Sequence, residues 1–511
     1  MFPRADPRSD RWAILALLCF SLLLIAVDAT VLHIAVPALT AALEPTGVQL
    51  LWIIDVYSLV VAPLLVTFGT LGDRYGRRRL VLLGYVVFGL ASLAAAFATT
   101  PEALIAARAF QGVGGAMIMP ATLSIIRQVF TDRRERAIAL GIWSAVAAGG
   151  AAVGPVLGGV LVEHFWWGTV FLINVPLLIV ALPLAARLIP DVSESHGHSW
   201  DGLSALLSVA GVLAVAFGLK EAGYGHTVGR GAAVLILLAG VAVLAWFVAR
   251  QRALASPLLD LGLFANRGFS TGVACVLFAV FALVGLELVL AQYLQLVLGL
   301  SPLNAALRML PLMVAAICGA LTAAYVLRRV GLRATMSGGL TLTALSLLPT
   351  LGWGAEDHPI SLAFCFAGIG FGIEVALLAA SDAIMSAAPE SRAGGAAAIE
   401  ETAYELGAGL GIAGLGTITT IVYAPGIGAI ADVSDAVIAQ AKGSLAAAAH
   451  VADELGGAAG VALLQVARSA FVSGLHAAVG VSVVLLLANA FVVAVLVPAR
   501  ERRTENERLS V

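Results

Sequence analysis

The chain has 511 residues, of which 60% are hydrophobic and only 12% are charged. Because soluble domains carry roughly 25% charged residues, this composition excludes a water-soluble globule. The net charge of −2 gives no basic field that would favour nucleic acid, so we expect no nucleic-acid partner. At roughly 20 apolar residues per bilayer crossing, the apolar content suffices for a polytopic, all-α membrane protein.

Apolar runs separated by charged loops predict fourteen transmembrane helices. They lie at 12–37, 48–71, 79–98, 102–126, 137–162, 168–187, 201–221, 231–250, 268–297, 303–327, 334–352, 360–386, 397–423 and 469–497. The first run resembles a secretory signal but lacks a clear small-residue cleavage site, so we interpret it as an uncleaved helix.

Basic residues are distributed unequally between the two sides of the predicted membrane. One side collects 23 of the 29 lysines and arginines. Because cytoplasmic loops are rich in Lys and Arg, this asymmetry predicts that both termini are cytoplasmic and that the protein is a multi-pass protein of the cell (inner or plasma) membrane.

Internal repetition predicts two similar halves. Arg74 and Gly76 in LGDRYGRRR match Arg329 and Gly331 in LRRVGLR, at an offset of 255 residues. We therefore predict an N-terminal six-helix half at 12–187, a two-helix insertion with linkers at 188–267, a C-terminal six-helix half at 268–497 and a cytoplasmic tail at 498–511. An outer loop at 424–468 is predicted to contain two short amphipathic pieces.

Motifs for catalysis or cofactor binding are missing from the sequence. It contains no GxxxxGK[ST], HExxH or GxSxG pattern, and its four cysteines have no CxxC spacing. We expect neither a cofactor nor a metal ion, and no enzymatic activity.

Glycine and charged residues form a pattern on the turn after the second helix. The pattern GxLGDRxGRR consists of Gly69, Leu71, Gly72, Asp73, Arg74, Gly76, Arg77 and Arg78. Glycines permit a tight turn, and Asp73 can accept charge-assisted hydrogen bonds. A basic membrane anchor would explain Arg77 and Arg78 but neither Gly72 nor Asp73.

Two further patterns lie inside predicted helices. RAFQGVGGA contains Arg108 and Gly112, and GAAVGPVLGG contains Gly154, Pro155, Gly158 and Gly159. The second pattern is also compatible with ordinary helix crossing, since glycines allow close packing and proline allows a kink.

Together these patterns resemble the major facilitator superfamily, with GxLGDRxGRR similar to its signature loop and GAAVGPVLGG similar to the antiporter signature of drug exporters. DATVLHIAVP, LWIIDVYSL, HSWD and AAAIEETAYELGAGLG narrow the resemblance to the fourteen-helix drug:proton antiporter branch, the QacA-like and SmvA-like exporters of quaternary ammonium compounds and cationic dyes. The resemblance implies a major facilitator fold with two inserted helices. The best-known dication exporters carry an acidic residue in helix ten, where this chain has only Arg308.

Acidic residues inside the predicted spans are the main functional candidates, because charge at bilayer depth is costly and usually functional. Eight fall there: Asp28, Asp55, Glu287, Glu374, Asp382, Glu400, Glu401 and Glu405. Glu401 and Glu405 share a helix face, with Glu400 close by, and such a cluster can exchange a proton for a cation. We assign proton or substrate coupling to all except Glu374 and Asp382, for which structural roles are equally plausible.

Other residues in the spans have roles that the sequence leaves open. Arg108 is the only basic residue in the interior of a predicted span of the first half, and it can neutralise a buried acid, relay protons or form a structural ion pair. Aromatic side chains can form cation–π walls of a cavity or simply pack. The cavity-wall candidates are Trp52, Tyr57, Trp143, Phe281, Tyr293 and Tyr404.

These expectations lead to a hypothesis of proton-coupled export of lipophilic organic cations by alternating access, with Asp28 as the central cation ligand. The expected partners are lipophilic cations, protons and the bilayer, with the protein acting as a monomer. The alternative on the same fold is a proton-coupled transporter of a neutral or anionic metabolite, which predicts a cavity with more basic and neutral hydrogen-bonding groups.

Overall fold

The computed structural model describes residues 11–190, 201–224, 228–254, 257–388, 393–428 and 433–497. These residues form seventeen α-helices and, within the described ranges, no strand. The helices are α1 Arg11–Leu43, α2 Gly47–Tyr75, α3 Arg77–Ala96, α4 Pro101–Val129, α5 Arg133–His164, α6 Thr169–Leu172, α7 Asn174–Leu188, α8 Gly202–Tyr224, α9 Gly229–Ala253, α10 Arg267–Gln292, α11 Pro302–Val330, α12 Leu332–Leu347, α13 Pro359–Ala387, α14 Ala393–Gly426, α15 Asp435–Ala441, α16 Leu445–Leu455 and α17 Gly457–Leu496.

Helices occupy all fourteen predicted positions, with local differences from the expected spans. The span predicted at 168–187 is divided between α6 and α7. The span at 268–297 ends in a π-helical segment, Tyr293–Val297, and the span at 334–352 ends in a 3₁₀ turn, Leu348–Gly352, which contains a proline.

Twelve helices in the described part of the chain are long and apolar enough to cross a membrane. The two other predicted spans correspond to α5 and α12. The apolar segment of α5 within the described residues is the short stretch Val153–His164, and α12 has 16 residues. The protein is thus a multi-pass, all-helical membrane protein, and the number fourteen stays a prediction.

The segment predicted as an outer loop is largely helical. It contains the two short helices α15 and α16, each with a serine N-cap, Ser434 and Ser444. The last long helix begins at Gly457, twelve residues before the predicted start at 469. The small residues of this region are therefore compatible with helix, because alanine has the highest helix propensity.

Turn and cap residues explain where the long helices begin and end. Thr46 forms a capping box with Gln49 at the start of α2, which satisfies backbone donors that the helix itself leaves unpaired. Gly76 between α2 and α3 has a φ of 99°, and Gly331 between α11 and α12 has a φ of 84°. This backbone conformation favours glycine, so the two members of the predicted repeat make the same kind of turn.

Helices of the predicted halves pack mainly on neighbours from the same half. In the first half α1 packs on α5, and α4 packs on both α2 and α3. In the second half α13 packs on α11 and α12, and α10 packs on α14. Contacts across the halves join α2 with α14 and α5 with α11.

The inserted helices α8 and α9 form a tightly packed pair that lies beside the junction of the halves. α8 contacts α2 from the first half and α14 from the second. An apolar cavity of about 200 Å³ lies among these four helices, lined by residues such as Pro63, Val212, Phe247 and Leu406. The insertion is therefore packed against both halves.

Large apolar side chains cover the outer surface of the helix bundle. Leu321 on α11, Ile360 and Phe364 on α13, and Phe491 on α17 are each at least 70% exposed. Such faces are stable in contact with lipid hydrocarbon, where apolar surface needs no burial by protein. The polar groups described next lie inside the bundle.

Candidate functional site

Asp28 and Arg108 form a buried ion pair in the first half. Arg108 Nη1, on α4, donates to Asp28 Oδ2, on α1, over 2.6 Å, and their side chains are 1% and 0% exposed. Arg108 Nε donates to the Ile53 carbonyl oxygen of α2 over 3.3 Å. The structure pairs Arg108 with a buried acid, and each of the roles that the sequence left open for Arg108 stays a prediction.

Amide side chains complete the hydrogen bonding of Asp28. Asn174 Nδ2, at the start of α7, donates to Asp28 Oδ1 over 2.8 Å, and Gln111 Nε2 donates to the same oxygen over 3.3 Å. Gln111 also donates to the Ser92 hydroxyl over 2.8 Å. Asp28 is thus held by donors from α4 and α7, and an incoming cation would have to displace at least one of them.

Tyr57 connects this pair with the acidic residues of the second half. The guanidinium of Arg108 lies 4.9 Å from the centroid of the Tyr57 ring, within the range of a cation–π interaction. Asp28, Glu401 and Glu405 are all close enough to act electrostatically on the Tyr57 hydroxyl. Tyr57 is 1% exposed, so this connection lies inside the helix bundle.

Glu401 and Glu405 on α14 form the centre of the second group. Glu405 is 7% exposed and accepts a hydrogen bond from the Ser58 hydroxyl of α2. The negative charges of Glu400 and Glu405 act on Glu401, as the spacing of these three residues along one helix predicts. The predicted cluster therefore exists, and it faces the first half through Ser58.

Tyr404 lies in the middle of the acidic groups of the second half. Glu405, Glu374, Glu401 and Glu287 all act electrostatically on its hydroxyl. The predicted Glu287 of α10 and Glu374 of α13 therefore both lie near Tyr404 of α14.

Glu287 also faces a histidine of the first half. His33 Nδ1 on α1 lies 3.9 Å from Glu287 Oε2, and His33 is 1% exposed. Neither ring nitrogen of His33 has a hydrogen-bond partner among the described residues. This contact joins the two halves one to two helical turns beyond Asp28 along α1.

Asp55, another predicted coupling residue, is paired with a lysine of the predicted insertion. Lys220 Nζ, on α8, donates to Asp55 Oδ1 over 2.7 Å, and both side chains are 0% exposed. The Lys220 ammonium also lies 3.5 Å from the centroid of the Trp52 ring. Trp52 therefore faces a cation, as expected of a cavity wall, but the cation belongs to the protein.

The remaining aromatic candidates lie in packed environments. Phe281 of α10 fits against Gly411 and Gly414 of α14. Tyr293 stacks on Trp353 with ring centroids 6.0 Å apart and donates to the Gly354 carbonyl oxygen.

Trp143 is partly buried and packs against the apolar core of the first half. Its indole nitrogen has no hydrogen-bond partner among the described residues. For Trp143, Phe281 and Tyr293 the alternative of packing therefore describes the observed contacts better than a shared cavity wall does.

The pattern GxLGDRxGRR lies at the turn between α2 and α3. The Gly76 amide donates to the Gly72 carbonyl oxygen over 3.0 Å, and Arg78 donates to the Ala186 carbonyl oxygen of α7. Arg77 donates to the Ser124 carbonyl oxygen of α4 over 3.4 Å. The arginines therefore tie the turn to neighbouring helix ends.

Arg74 and Gly69, two other members of the pattern GxLGDRxGRR, have contacts of a different kind. Arg74 lies over the exposed ring of Tyr75, and a Cβ at Gly69 would meet only Pro120, at 3.8 Å. The side chain of Asp73 lies outside the described part of the structure. The same holds for His198, the first residue of HSWD, for His196 in the loop before it, and for Arg392.

Glycines of α4 and α5 permit close approach of helices. A Cβ at Gly112 would lie 2.7 Å from the Tyr57 carbonyl oxygen, and one at Gly158 would lie 2.8 Å from the Val31 carbonyl oxygen. Gly154 likewise faces α1, next to Pro155, whereas Gly159 faces α11 of the second half. Gly154 and Gly158 therefore allow α1, which carries Asp28, to pack closely on α5.

Several polar residues of the site were not among the sequence candidates. Lys220 and His33 are buried charged or titratable groups, and Ser58, Gln111 and Asn174 are buried hydrogen-bonding groups. For Lys220 a signal existed, since it is one of only two lysines and lies at the end of an apolar run. Neutral polar residues in apolar helices give no comparable signal.

Comparisons with known proteins were made on the sequence and on the fold. The family model described as Major Facilitator Superfamily matches residues 18–412. The methyl viologen resistance protein SmvA of Salmonella typhimurium is 42% identical over 462 residues, which cover 90% of this chain and 93% of that protein. The multidrug efflux pump LfrA of Mycolicibacterium smegmatis is 40% identical over 484 residues, covering 95% and 96%.

Among solved structures, a bacterial homologue of the human lysosomal transporter Spinster, in an inward-facing and unoccupied conformation, has a similar fold. Its TM-score is 0.67 at 19% identity, and the match covers 97% of this chain and 98% of that one. At this identity the similarity concerns the fold alone.

Proposed function

This chain belongs to the major facilitator superfamily, and we propose that it exports lipophilic organic cations in exchange for protons. It is a transporter and not an enzyme. Two similar proteins are by name a methyl viologen resistance protein and a multidrug efflux pump, which supports drug efflux as the task of this chain.

The observation that carries the proposal is the meeting of two carboxylate groups, one from each half, at the buried Tyr57. Asp28 lies on the first-half side and Glu401 and Glu405 lie on the second-half side. Alternating access requires a site between halves that can rock against each other. Carboxylates at that junction can bind a proton or a cation in turn, which is what an exchanger of the two needs.

Asp28 serves in this proposal as the proton-responsive group. The sequence favoured it as the cation ligand, but its carboxylate is held by Arg108, Gln111 and Asn174. A proton on Asp28 removes the negative charge that holds the Arg108 guanidinium. Because α1 and α4 meet through this pair, its protonation changes how the first half is held together.

The α14 cluster serves as the cation ligand. Glu401 and Glu405 offer negative charge, and Tyr57 and Tyr404 offer aromatic faces beside it. A carboxylate beside aromatic rings is a suitable environment for a lipophilic cation, since the rings attract the charge and also bury the apolar groups around it. Protonation of these acids from outside then releases the cation.

The topology that we propose for this cycle places both termini in the cytoplasm. Fourteen spans cross the cell membrane, with α8 and α9 as two of them, and the protein works as a monomer. The concentration of basic residues on one side of the chain supports this orientation.

Transport in proteoliposomes tests the proposal directly. Purified protein is reconstituted, a pH gradient is imposed, and the movement of ethidium is followed by fluorescence together with lumenal pH. We expect gradient-driven dye movement, loss of that movement in Asp28→Asn, and a strong reduction in Glu405→Gln. The matched control is Asp357→Asn, which removes an acid that is also ion-paired, to Arg308, but lies at the exposed surface.

The outcomes separate the proposal from its alternative. Unchanged efflux and pH dependence in Asp28→Asn would show that Asp28 has no role in coupling. Absence of any cation movement by the wild type, with proton flux driven by a neutral or anionic metabolite, would favour the alternative. Equal losses in Asp357→Asn would mean that the loss of transport is not specific to the buried carboxylates.

A further inference from the structure

The surroundings of Lys220 have the composition of a cation-binding site. Its ammonium lies 2.7 Å from Asp55 Oδ1 and 3.5 Å from the centroid of the Trp52 ring. Phe217 of α8 adds a second ring, 6.4 Å from that of Trp52. A carboxylate on one side of a cation and an aromatic face on the other are what recognise organic ammonium ions.

Lys220 binds only one of the two carboxylate oxygens of Asp55. Asp55 Oδ2 is buried without a hydrogen-bond partner among the described residues. An arginine can occupy both oxygens of a carboxylate with its planar fork, whereas the ammonium of lysine acts as a compact point charge on a flexible stem. The chain uses only two lysines among its 29 basic residues, and one of the two is at this position.

The position of Lys220 in the fold allows it to leave. It lies four residues before Tyr224, where α8 ends. Long basic side chains near helix ends can extend toward the membrane interface, where the charge is hydrated. Asp55 and Trp52 lie on α2, in the first half, and α2 also packs on α14 of the second half.

We propose that Trp52 and Asp55 form an organic-cation site in which the Lys220 ammonium is a tethered occupant that an incoming lipophilic cation displaces. The exchange is one positive charge for another, so the buried carboxylate of Asp55 is never left without a counter-charge. Displacement detaches the end of α8 from α2, which gives the inserted helices a role in transport. The inference rests on the proposed export of cations, and it assigns a second site to them besides the α14 cluster.

Chemical labelling of the wild-type protein tests the displacement. Purified full-length protein in detergent is treated briefly with acetic anhydride, with and without tetraphenylphosphonium, and acetylation of each lysine is quantified by peptide mass spectrometry. Lys220 is 0% exposed, so it reacts slowly without the cation. We expect at least a fivefold increase in its acetylation at saturating tetraphenylphosphonium.

The second lysine provides an internal control. Lys442 is exposed and should be acetylated equally with and without the cation. Tetraphenylmethane, which is similar in shape but neutral, should not increase labelling of Lys220. Unchanged or reduced labelling of Lys220 by a cation that the protein exports would overturn the inference.

Binding by variants gives an independent measurement. Lys220→Met removes the tethered charge, and we expect it to bind tetraphenylphosphonium about tenfold more tightly than wild type, with Lys442→Met unchanged. Adding Asp55→Asn to Lys220→Met should abolish the gain, whereas a merely structural lysine would give no gain to abolish. If Lys220→Met does not fold, the labelling of the wild type decides.

The two proposals fail in different ways. Wild-type protein that exports ethidium but shows no cation-dependent labelling of Lys220 refutes the tethered site and leaves cation export standing. Wild-type protein that neither binds nor exports cations refutes both.

Discussion

Replacing Asp28 with asparagine keeps the shape of the side chain but leaves the Arg108 guanidinium buried without its counter-charge. The two groups are 2.6 Å apart, with side chains 1% and 0% exposed. Removing one partner of a buried ion pair costs about 3–5 kcal/mol. The new amide also places a donor or a neutral oxygen where Arg108 requires a charged acceptor, so we expect a loss in this range for Asp28→Asn.

A double-mutant cycle shows whether that loss belongs to the pair. Arg108→Met keeps a long side chain in the space and removes its charge. In the variant with both substitutions no unpaired charge is left, so its loss of free energy of unfolding should be about 2–3 kcal/mol smaller than the sum of the single losses. Unfolding in mixed micelles, titrated with SDS and followed by tryptophan fluorescence, measures these free energies.

The surface pair of Arg308 and Asp357 serves as a matched control for the cycle. Its atoms are 2.8 Å apart, but its side chains are 32% and 39% exposed. Such pairs couple by only about 0.2–1 kcal/mol, so the same cycle there should be nearly additive. Additivity within about 0.5 kcal/mol at Asp28 and Arg108, or a cost below about 1 kcal/mol for Asp28→Asn, would refute the reasoning.

Three other outcomes follow from local geometry. Gly158→Ala should lower the free energy of unfolding by about 1–3 kcal/mol and slow transport, because the new Cβ would meet the α1 backbone at 2.8 Å. A Cβ at Gly141 would meet nothing within 4 Å, so the control Gly141→Ala should raise the Tm slightly in thermal melts. Burial raises the pKa of Asp201, but hydrogen bonds from Arg250 and Ser204, together with the charge of Arg250, outweigh this and lower the pKa to about 2. The stabilisation from this depressed pKa is complete above about pH 4 and is lost as the pH falls through 2. The Tm difference between wild type and Asp201→Asn should therefore be constant from pH 5 to 8. A change in that difference within this range would contradict the assignment of the pKa. Deleting 434–456, which contains α15 and α16, should impair dye efflux while membrane insertion, measured by fractionation, is preserved; unchanged efflux would show that the segment is dispensable.

Much of the fold follows from the sequence alone. Composition and apolar runs give an all-helical membrane protein, since a span needs about 20 apolar residues, and helices occur at every predicted position. Gly76 and Gly331, the matched glycines of the predicted repeat, each stand at a turn with positive φ. The structure of 424–468 was harder to predict from the sequence, since an alanine-rich sequence outside a clear apolar run is compatible with both a loop and a helix.

The sequence also identified the acids of the candidate site, because an acidic residue inside an apolar run can be recognised directly in the sequence. Asp28, Glu401 and Glu405 were found in this way, and resemblance to a transporter family agreed with them. What it left open was their partners. The donors to Asp28 come from positions 80 to 146 residues away along the chain.

Only the tertiary structure decided which charges are paired. It joined Asp28 to Arg108 and Asp55 to Lys220, so two acids of the same predicted list have different partners. The physical reason is that burial is costly for a single charge but tolerable for a pair. Pairing depends on which helices meet, and that is set by the packing of glycines and apolar side chains over the whole bundle.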